Sequence, residues 1–163
     1  MRGLGIGRDY RRPALLASRC ICSDSAALNK MGAFFEVIAP KIGGVTLSDG
    51  TAVAAKHKID GGPSILFDAV AVLPSAEGAA LLAVDAPAKD FVCDAFAHCK
   101  FIGVGADAEL LFTKAGLAED LDDGCLPLGT SKDVGPFLEA CSMLRYWPRE
   151  LAVDLDAEPA PHD

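Results

Sequence analysis

The stretch FDAVAVLPSAEGAALLAV, residues 67–84, decides the fold class. Its first part, residues 67–74, is almost continuously apolar, which is typical of a central parallel strand covered on both faces. Its second part, residues 76–84, is rich in Ala and Leu and predicts a helix. A strand that leads directly into a helix indicates a right-handed crossover to a parallel neighbour.

The same order continues toward the C-terminus. A second helix is predicted to begin at Pro87, because proline is tolerated in a first helical turn. KFIGVG, residues 100–105, predicts another central strand, and residues 106–116 predict a helix that ends at Gly116. Residues 131–147 predict the last helix, with Ser131 as its N-cap and Pro148 as its stop.

The N-terminal half is predicted to supply the remaining strands. Residues 13–18 and 33–40 read as strands, and a short helix between them would be capped within Ser23–Ser25. Residues 43–55 predict a β-hairpin that turns at Asp49-Gly50. Residues 57–60 are expected to form a further short edge strand.

Alternating strands and helices predict an α/β fold with a doubly wound, mainly parallel sheet and a small β-hairpin insertion. The length of 163 residues suits one domain. We assign residues 1–11 to a flexible N-terminal lead, 12–150 to the α/β domain and 151–163 to a disordered tail.

Composition excludes some classes of function. The chain is 51% apolar, so it is expected to fold, and its net charge is −8. Nucleic-acid binding is not expected, since phosphate contacts need clustered Lys and Arg. No apolar run approaches the ~20 residues that cross a bilayer. We expect a cytoplasmic protein without a membrane partner.

The chain contains six cysteines and no CxxC motif, so the common zinc and thioredoxin signals are missing. We expect reduced, largely buried thiols. Cys20 and Cys22 follow the first predicted strand, where ligands can approach, and are the candidates for a reactive thiol. Only Arg19 lies beside them to lower a thiol pKa. The other cysteines are Cys93, Cys99, Cys125 and Cys141.

The segment DFVCDAFAHCKFIGV, residues 90–104, holds a histidine between two cysteines. At about 100° per residue, Cys93 and His98 lie about 140° apart on a helix, so they do not form a local pair. Asp94 and His98 share a face, and the interpretation is a surface hydrogen bond or ion pair rather than a metal site. The acidic run at 119–123 is interpreted as a solvated loop, since it lacks an EF-hand pattern.

The turn after KFIGVG has the small residues that a nucleophile elbow requires, namely Gly103, Gly105 and Ala106. No Ser or Cys stands at its apex, at Gly105 or Ala106, and Asp107 is interpreted as a helix cap. We therefore predict an elbow without a nucleophile. A small-ligand site around Gly105, Ala106 and Asp107 stays open, because loops after central strands bind ligands in such folds.

Several phrases, taken together, resemble the C-terminal domain of large-subunit haem catalases. The most specific are PSILFDAV, DAFAHCKFIG and LRYWPRE, and the resemblance covers roughly residues 33–150. It implies a flavodoxin-like fold related to the class I glutamine amidotransferase superfamily, whose thiol-dependent members carry a Cys at the elbow. The catalase domain likewise lacks that nucleophile.

The resemblance implies a noncatalytic accessory domain that stabilises the oligomer of a peroxide-degrading enzyme, with a chaperone-like role as an extension. Haem would belong to the parent catalase and not to this chain, whose tyrosines lack the Arg-x-x-x-Tyr spacing of a haem ligand. The expected partners are the catalase barrel domain or a second copy, and unfolded clients for a chaperone role. The alternative is a small thiol enzyme of the amidotransferase-like superfamily that uses Cys20 or Cys22.

Overall fold

The computed structural model describes residues 13–17, 36–46 and 52–151. Among them, six strands form one parallel sheet in the order β5-β2-β1-β6-β7-β8, and two short strands, β3 and β4, form an antiparallel hairpin. The strands are β1 Pro13–Ala17, β2 Glu36–Ala39, β3 Val45–Thr46, β4 Ala52–Val53, β5 His57–Lys58, β6 Ala69–Leu73, β7 Ile102–Val104 and β8 Cys125–Pro127.

The helices follow the strands as a doubly wound sheet requires. They are α1 Ala76–Val84, α2 Ala86–Ala97, α3 Glu109–Ala115, α4 Ser131–Cys141 and α5 Pro148–Leu151. Two 3₁₀ turns, Ile59–Gly61 and Ser64–Leu66, lie between β5 and β6. Apart from the edge strand β5, the strand order is that of flavodoxin-like sheets. The predicted mainly parallel sheet and the hairpin insertion are therefore confirmed.

The two faces of the sheet are separated by the alternation of side chains along each strand. One face is large and apolar, with Val70, Val72 and Ile102 packed against α1, α2 and α3. The opposite face presents the small residues Ala69 and Ala71 to α4. The almost continuous apolar run of β6 therefore has cover on both sides, as predicted.

Two helices end in the same hydrogen-bonded cap. At Gly116, which has φ +79°, the N–H groups of Gly116 and Leu117 donate to carbonyls of α3. This confirms the predicted helix stop. At the end of α2 the corresponding left-handed residue is Cys99, with φ +53°, and the next N–H, of Lys100, donates to the Ala95 carbonyl. This pattern is a Schellman motif, in which glycine is the usual occupant.

The C-terminal helix was predicted incorrectly in two respects. Its N-cap is Thr130, not Ser131, and the Thr130 and Asp133 side chains form a reciprocal capping box. The helix ends at Cys141 rather than at 147, because Leu144 has a left-handed φ of +68° and the Tyr146 N–H donates to the Cys99 carbonyl instead of to the helix. Pro148 then begins α5, where its missing N–H costs nothing.

Some predictions fall outside the described residues. They concern the lead at 1–11, the helix near 25–32 and its cap, the Asp49-Gly50 turn, and the tail, of which only Leu151 is described and lies in α5. Within the described residues, no helix is long and apolar enough to cross a membrane.

Candidate functional site

The carboxyl edge of the sheet carries the predicted elbow, immediately after β7. Gly105 is buried there, and its N–H donates to the Val72 carbonyl of β6 at 2.8 Å. A Cβ at this position would lie 2.8 Å from the same carbonyl oxygen. Because real Cβ atoms do not approach an oxygen so closely, position 105 has no room for a side chain of any kind.

Ala106 and Asp107 follow Gly105 and are both exposed. Asp107 does not cap α3, contrary to the prediction; the N-cap position belongs to Ala108, without any side-chain hydrogen bond. The structure thus brings Gly105, Ala106 and Asp107 together at one turn. A Cβ placed on Gly129, in the loop after β8, would lie 3.9 Å from the Cβ of Ala106, so the two loops are neighbours.

Among the described cysteines, Cys93, Cys99 and Cys125 are thiols that form no disulfide. Burial raises the pKa of Cys93, and burial with the nearby Glu150 carboxylate raises the pKa of Cys99. Burial likewise raises the pKa of Cys125 to about 11. These three thiols are protonated at neutral pH and are poor nucleophiles. Cys20 and Cys22 lie outside the described residues.

His98 is at the end of α2, and its Nδ1 contacts the backbone oxygen of Asp94 at 2.7 Å. The predicted surface interaction is therefore present, although it involves the main chain and not the carboxylate. In the parts of the chain that the structure describes, no three His, Cys, Asp or Glu side chains are grouped as metal ligands would be.

The N-terminal edge of the sheet holds a buried lysine. Lys100 is fully buried, and its ammonium group donates to the carbonyl oxygens of Ser64, at 2.5 Å, and Phe67. Burial, with a contribution from the positive charge of Arg145, lowers the pKa of Lys100 to about 8. Lys100 connects the start of β7 to the 3₁₀ turn before β6.

A buried arginine lies at the same edge and connects α5 to the rest of the domain. The Arg149 side chain, only 6% exposed, forms a bidentate pair with Asp122 at 2.6 and 2.7 Å. It also donates to the carbonyls of Phe96 and Lys100, and its guanidinium stacks over the Phe96 ring at 4.0 Å. Bidentate pairing and stacking together are interactions that arginine makes and lysine does not.

The interpretation of residues 119–123 as a solvated loop is therefore wrong for Asp122. Burial by itself would raise the pKa of Asp122, but the hydrogen bonds and charge of Arg149 outweigh it and hold this pKa below its usual value. Neither Arg149 nor Asp122 carries a local sequence signal, because the pair joins residues 27 apart. The phrase LRYWPRE, which contains Arg149, is a signal only through the family resemblance.

Comparisons with known proteins identify relatives of this chain. The profile of a family described as the C-terminal domain found in long catalases matches residues 22–150. Catalase C of Rhizobium meliloti is 51% identical over 130 residues, which are 80% of this chain and 18% of that protein. Catalase HPII of Pseudomonas aeruginosa is 32% identical over 127 residues, which are 77% and 18% of the two chains.

Oxidized DJ-1 of Toxoplasma gondii has a similar structure, with a TM-score of 0.64 at 16% identity. The superposition covers 85% of this chain and 92% of that one, and at this identity it shows the shared fold alone. The chain spans about a fifth of the length of the curated catalases that it matches. On the family match and these identities, the chain belongs to the family of C-terminal domains found in long catalases.

Proposed function

We propose that this chain is a noncatalytic accessory domain that stabilises the assembly of a long, peroxide-decomposing catalase by contact with its barrel domain. The observation that carries the proposal is the 51% identity to Catalase C, of which the matched region is only 18%. The catalytic apparatus of such an enzyme would then lie in the part of the polypeptide to which this chain has no counterpart.

Three features of the described residues support a noncatalytic role. The elbow has no nucleophile and no room for one at Gly105. The thiols of Cys93, Cys99 and Cys125 have raised pKa values. Tyr146, the described tyrosine, packs edge-on against Phe101 and lacks an arginine four residues before it. We therefore expect that the pure chain binds no haem and releases no oxygen from hydrogen peroxide.

The stabilising role is tested with three forms of Catalase C from Rhizobium meliloti. In the first, the matched C-terminal residues are deleted; in the second, they are replaced by this chain; in the third, they are replaced by Toxoplasma gondii DJ-1. We expect deletion to lower the temperature at which the assembly dissociates and loses haem. This chain should restore that temperature, and DJ-1, which shares only the fold, should not.

Equal stability of the deleted and intact forms would overturn the proposal, as would a failure of this chain to restore it. Haem-dependent oxygen release by the pure chain would overturn the noncatalytic role specifically.

A chaperone-like role extends the proposal and is supported by large apolar side chains that are exposed, among them Met143 and Trp147. It predicts that the chain suppresses light scattering by a heat-aggregating client in proportion to its concentration. The thiols of Cys93, Cys99 and Cys125, which form no disulfide, support a reducing, cytoplasmic location. The thiol-enzyme alternative rests on Cys20 and Cys22 alone, and no described residue supports it.

A further inference from the structure

Five large apolar side chains are exposed at the N-terminal edge of the sheet. They belong to the 3₁₀ turn before β6 and to the segment between α4 and α5, and each side chain is between 45% and 64% exposed. We call these five residues the N-edge surface: Ile65, Leu66, Met143, Leu144 and Trp147. The two segments are connected next to the start of β6, because Arg145 donates a hydrogen bond to the carbonyl of Asp68 at 3.2 Å. An apolar cluster of this kind on a folded domain indicates an interaction surface.

The segment that carries three of these side chains is held firmly. The Tyr146 N–H donates to the Cys99 carbonyl at 2.6 Å, and the Tyr146 ring packs edge-on against Phe101. Arg149, four residues after Arg145, is buried and paired with Asp122. Met143, Leu144 and Trp147 are therefore presented on a fixed support, which reduces the entropy that a partner must overcome on binding.

Leu144 has an unusual backbone conformation. Its φ of +68° lies in the left-handed region, which is strained for an L-residue other than glycine or asparagine. Its side chain remains 45% exposed, so packing within this domain compensates for that strain only in part. The position holds a large apolar side chain where a smaller, polar residue would be less strained, which is expected if a partner contacts it.

The same edge is where the polypeptide enters the domain. All strands of the sheet run parallel, so β1 begins at this edge, and Pro13 lies opposite Ala69, the residue after Asp68. In the family, this domain is the C-terminal one, and the matched region is 18% of Catalase C. In a long catalase, the polypeptide that leads into β1 would therefore reach the domain beside the N-edge surface.

We propose that the N-edge surface docks against the catalase body, the part of a long catalase that precedes this domain in the polypeptide. The inference rests on the proposed accessory function and adds the surface through which it acts. The carboxyl edge, with the elbow, then faces away from the catalase body.

Hydroxyl-radical labelling tests the contact directly, because Met143 and Trp147 both react readily with radicals. The isolated chain is compared with the chimera in which this chain replaces the matched region of Catalase C. We expect Met143 and Trp147 to be labelled several-fold more slowly in the chimera. Ile42 and Leu110, exposed residues near the carboxyl edge, should be labelled equally in both.

A pair of matched double variants tests the energetic contribution. Met143→Ser with Trp147→Ser removes the two most exposed side chains of the N-edge surface, and Ile42→Ser with Leu110→Ser is the control. Since all four side chains are exposed, neither variant should lower the Tm of the isolated chain by more than a few degrees. Only the first should lower the dissociation temperature of the chimera.

The outcomes separate this inference from the function on which it rests. If the chimera is stabilised but Met143 and Trp147 are labelled as fast as in the isolated chain, the accessory function stands and the N-edge surface is not the contact. An equal effect of the two double variants on the chimera also overturns the inference. If the chimera does not assemble or gains no stability, both the function and the inference fail.

Discussion

At the scale of single residues, the elbow differs from a catalytic elbow because position 105 has no room for a side chain. Gly105 lies against the β6 backbone, while Ala106, the next residue, is exposed to solvent. A nucleophile could therefore be accommodated only at 106, where the chain has a methyl group. The turn has the small residues of a catalytic elbow and no reactive side chain at its apex.

This difference predicts opposite results for two substitutions. Gly105→Ala should destabilise the chain by about 1–3 kcal/mol, because its Cβ would overlap the Val72 carbonyl. Ala106→Cys should change the free energy of unfolding by less than about 0.5 kcal/mol and create a reactive thiol. Urea unfolding and mass mapping of an alkylating label check both. A Gly105→Ala variant of native stability would contradict the geometry, and so would an introduced thiol at position 106 that alkylates no faster than Cys93.

Lys100 shows how burial controls one titration. The pKa of about 8 in the folded chain lies below the unfolded value of about 10.5, because burial disfavours the charged amine. Between these values the folded chain releases a proton that the unfolded chain keeps. The contribution of Lys100 to stability therefore rises with pH across this window and is constant below it.

Comparison with Lys100→Met isolates this effect from other groups that titrate at high pH. At neutral pH the variant should be less stable, since it leaves the Ser64 and Phe67 carbonyls without their donor. From pH 8 to 10.5 the stability difference in favour of the native chain should grow, by at most about 1.4 kcal/mol per pH unit. Parallel stability profiles for the two proteins would show that the Lys100 pKa is not lowered.

At the scale of elements, the segment after α4 depends on one side chain. Arg149 joins α5 to the loop before β8, to the end of α2 and to the start of β7. Gly124, beside Asp122, leaves room for it, since a Cβ there would lie 2.7 Å from an Arg149 nitrogen. Residues 142–151 are therefore part of the folded domain and not an appendage to it.

Arg149→Met should cost about 3 kcal/mol of stability, because it leaves Asp122 without its partner. The native chain should lose the contribution of Asp122 as the pH falls below about 4, since the pKa of that carboxyl is lowered in the folded state. The variant should show a flatter acid profile. Lys58→Met, which breaks an exposed pair with Asp60, is the control and should leave stability nearly unchanged.

Identical acid profiles for the native chain and Arg149→Met would contradict the assigned role of the pair. Gly124→Ala offers a second check, because it leaves both charges in place while its Cβ would overlap the Arg149 guanidinium and the Tyr146 side chain. It should reproduce the loss of stability seen in Arg149→Met.

At the scale of the whole molecule, the two edges of the sheet differ in character. The carboxyl edge carries an elbow without a nucleophile and the exposed side chains of Ile42 and Leu110, whereas the N-terminal edge carries the five apolar side chains of the N-edge surface on a fixed support. In the absence of a catalase body, the N-edge surface would be free to meet a second copy. The expected self-association is therefore weak and dependent on concentration.

Sedimentation velocity over a series of concentrations measures this self-association. The sedimentation coefficient should rise with concentration for the native chain and rise less for Met143→Ser with Trp147→Ser. A chain that stays monomeric throughout the series contradicts the prediction. A native chain and a variant that associate equally would assign the association to another surface.

The sequence by itself determined the fold class. The apolar run of β6, the glycine that ends α3 and the proline in the first turn of α2 are signals between neighbouring residues, so a linear pattern reveals them. The missing nucleophile at Gly105 and Ala106 was visible for the same reason. Phrases such as LRYWPRE also indicate the family, because a resemblance of this kind needs only the order of the residues.

Only the tertiary structure shows which side chains are buried and paired at the N-terminal edge of the sheet. Lys100 and Arg149 find partners 27 to 53 residues away, and no periodicity in the chain encodes such pairs. The end of α4 at Cys141, against a helical pattern that continues to 147, follows from the contacts of Tyr146 and Arg149 with the start of β7. Cys99 occupies a position where glycine is usual, and its role as a helix end became clear only from its backbone angle. Local propensity determines which segments form helices and strands. Contacts of buried polar groups with residues far away in the sequence determine where those helices end and which side chains stay exposed.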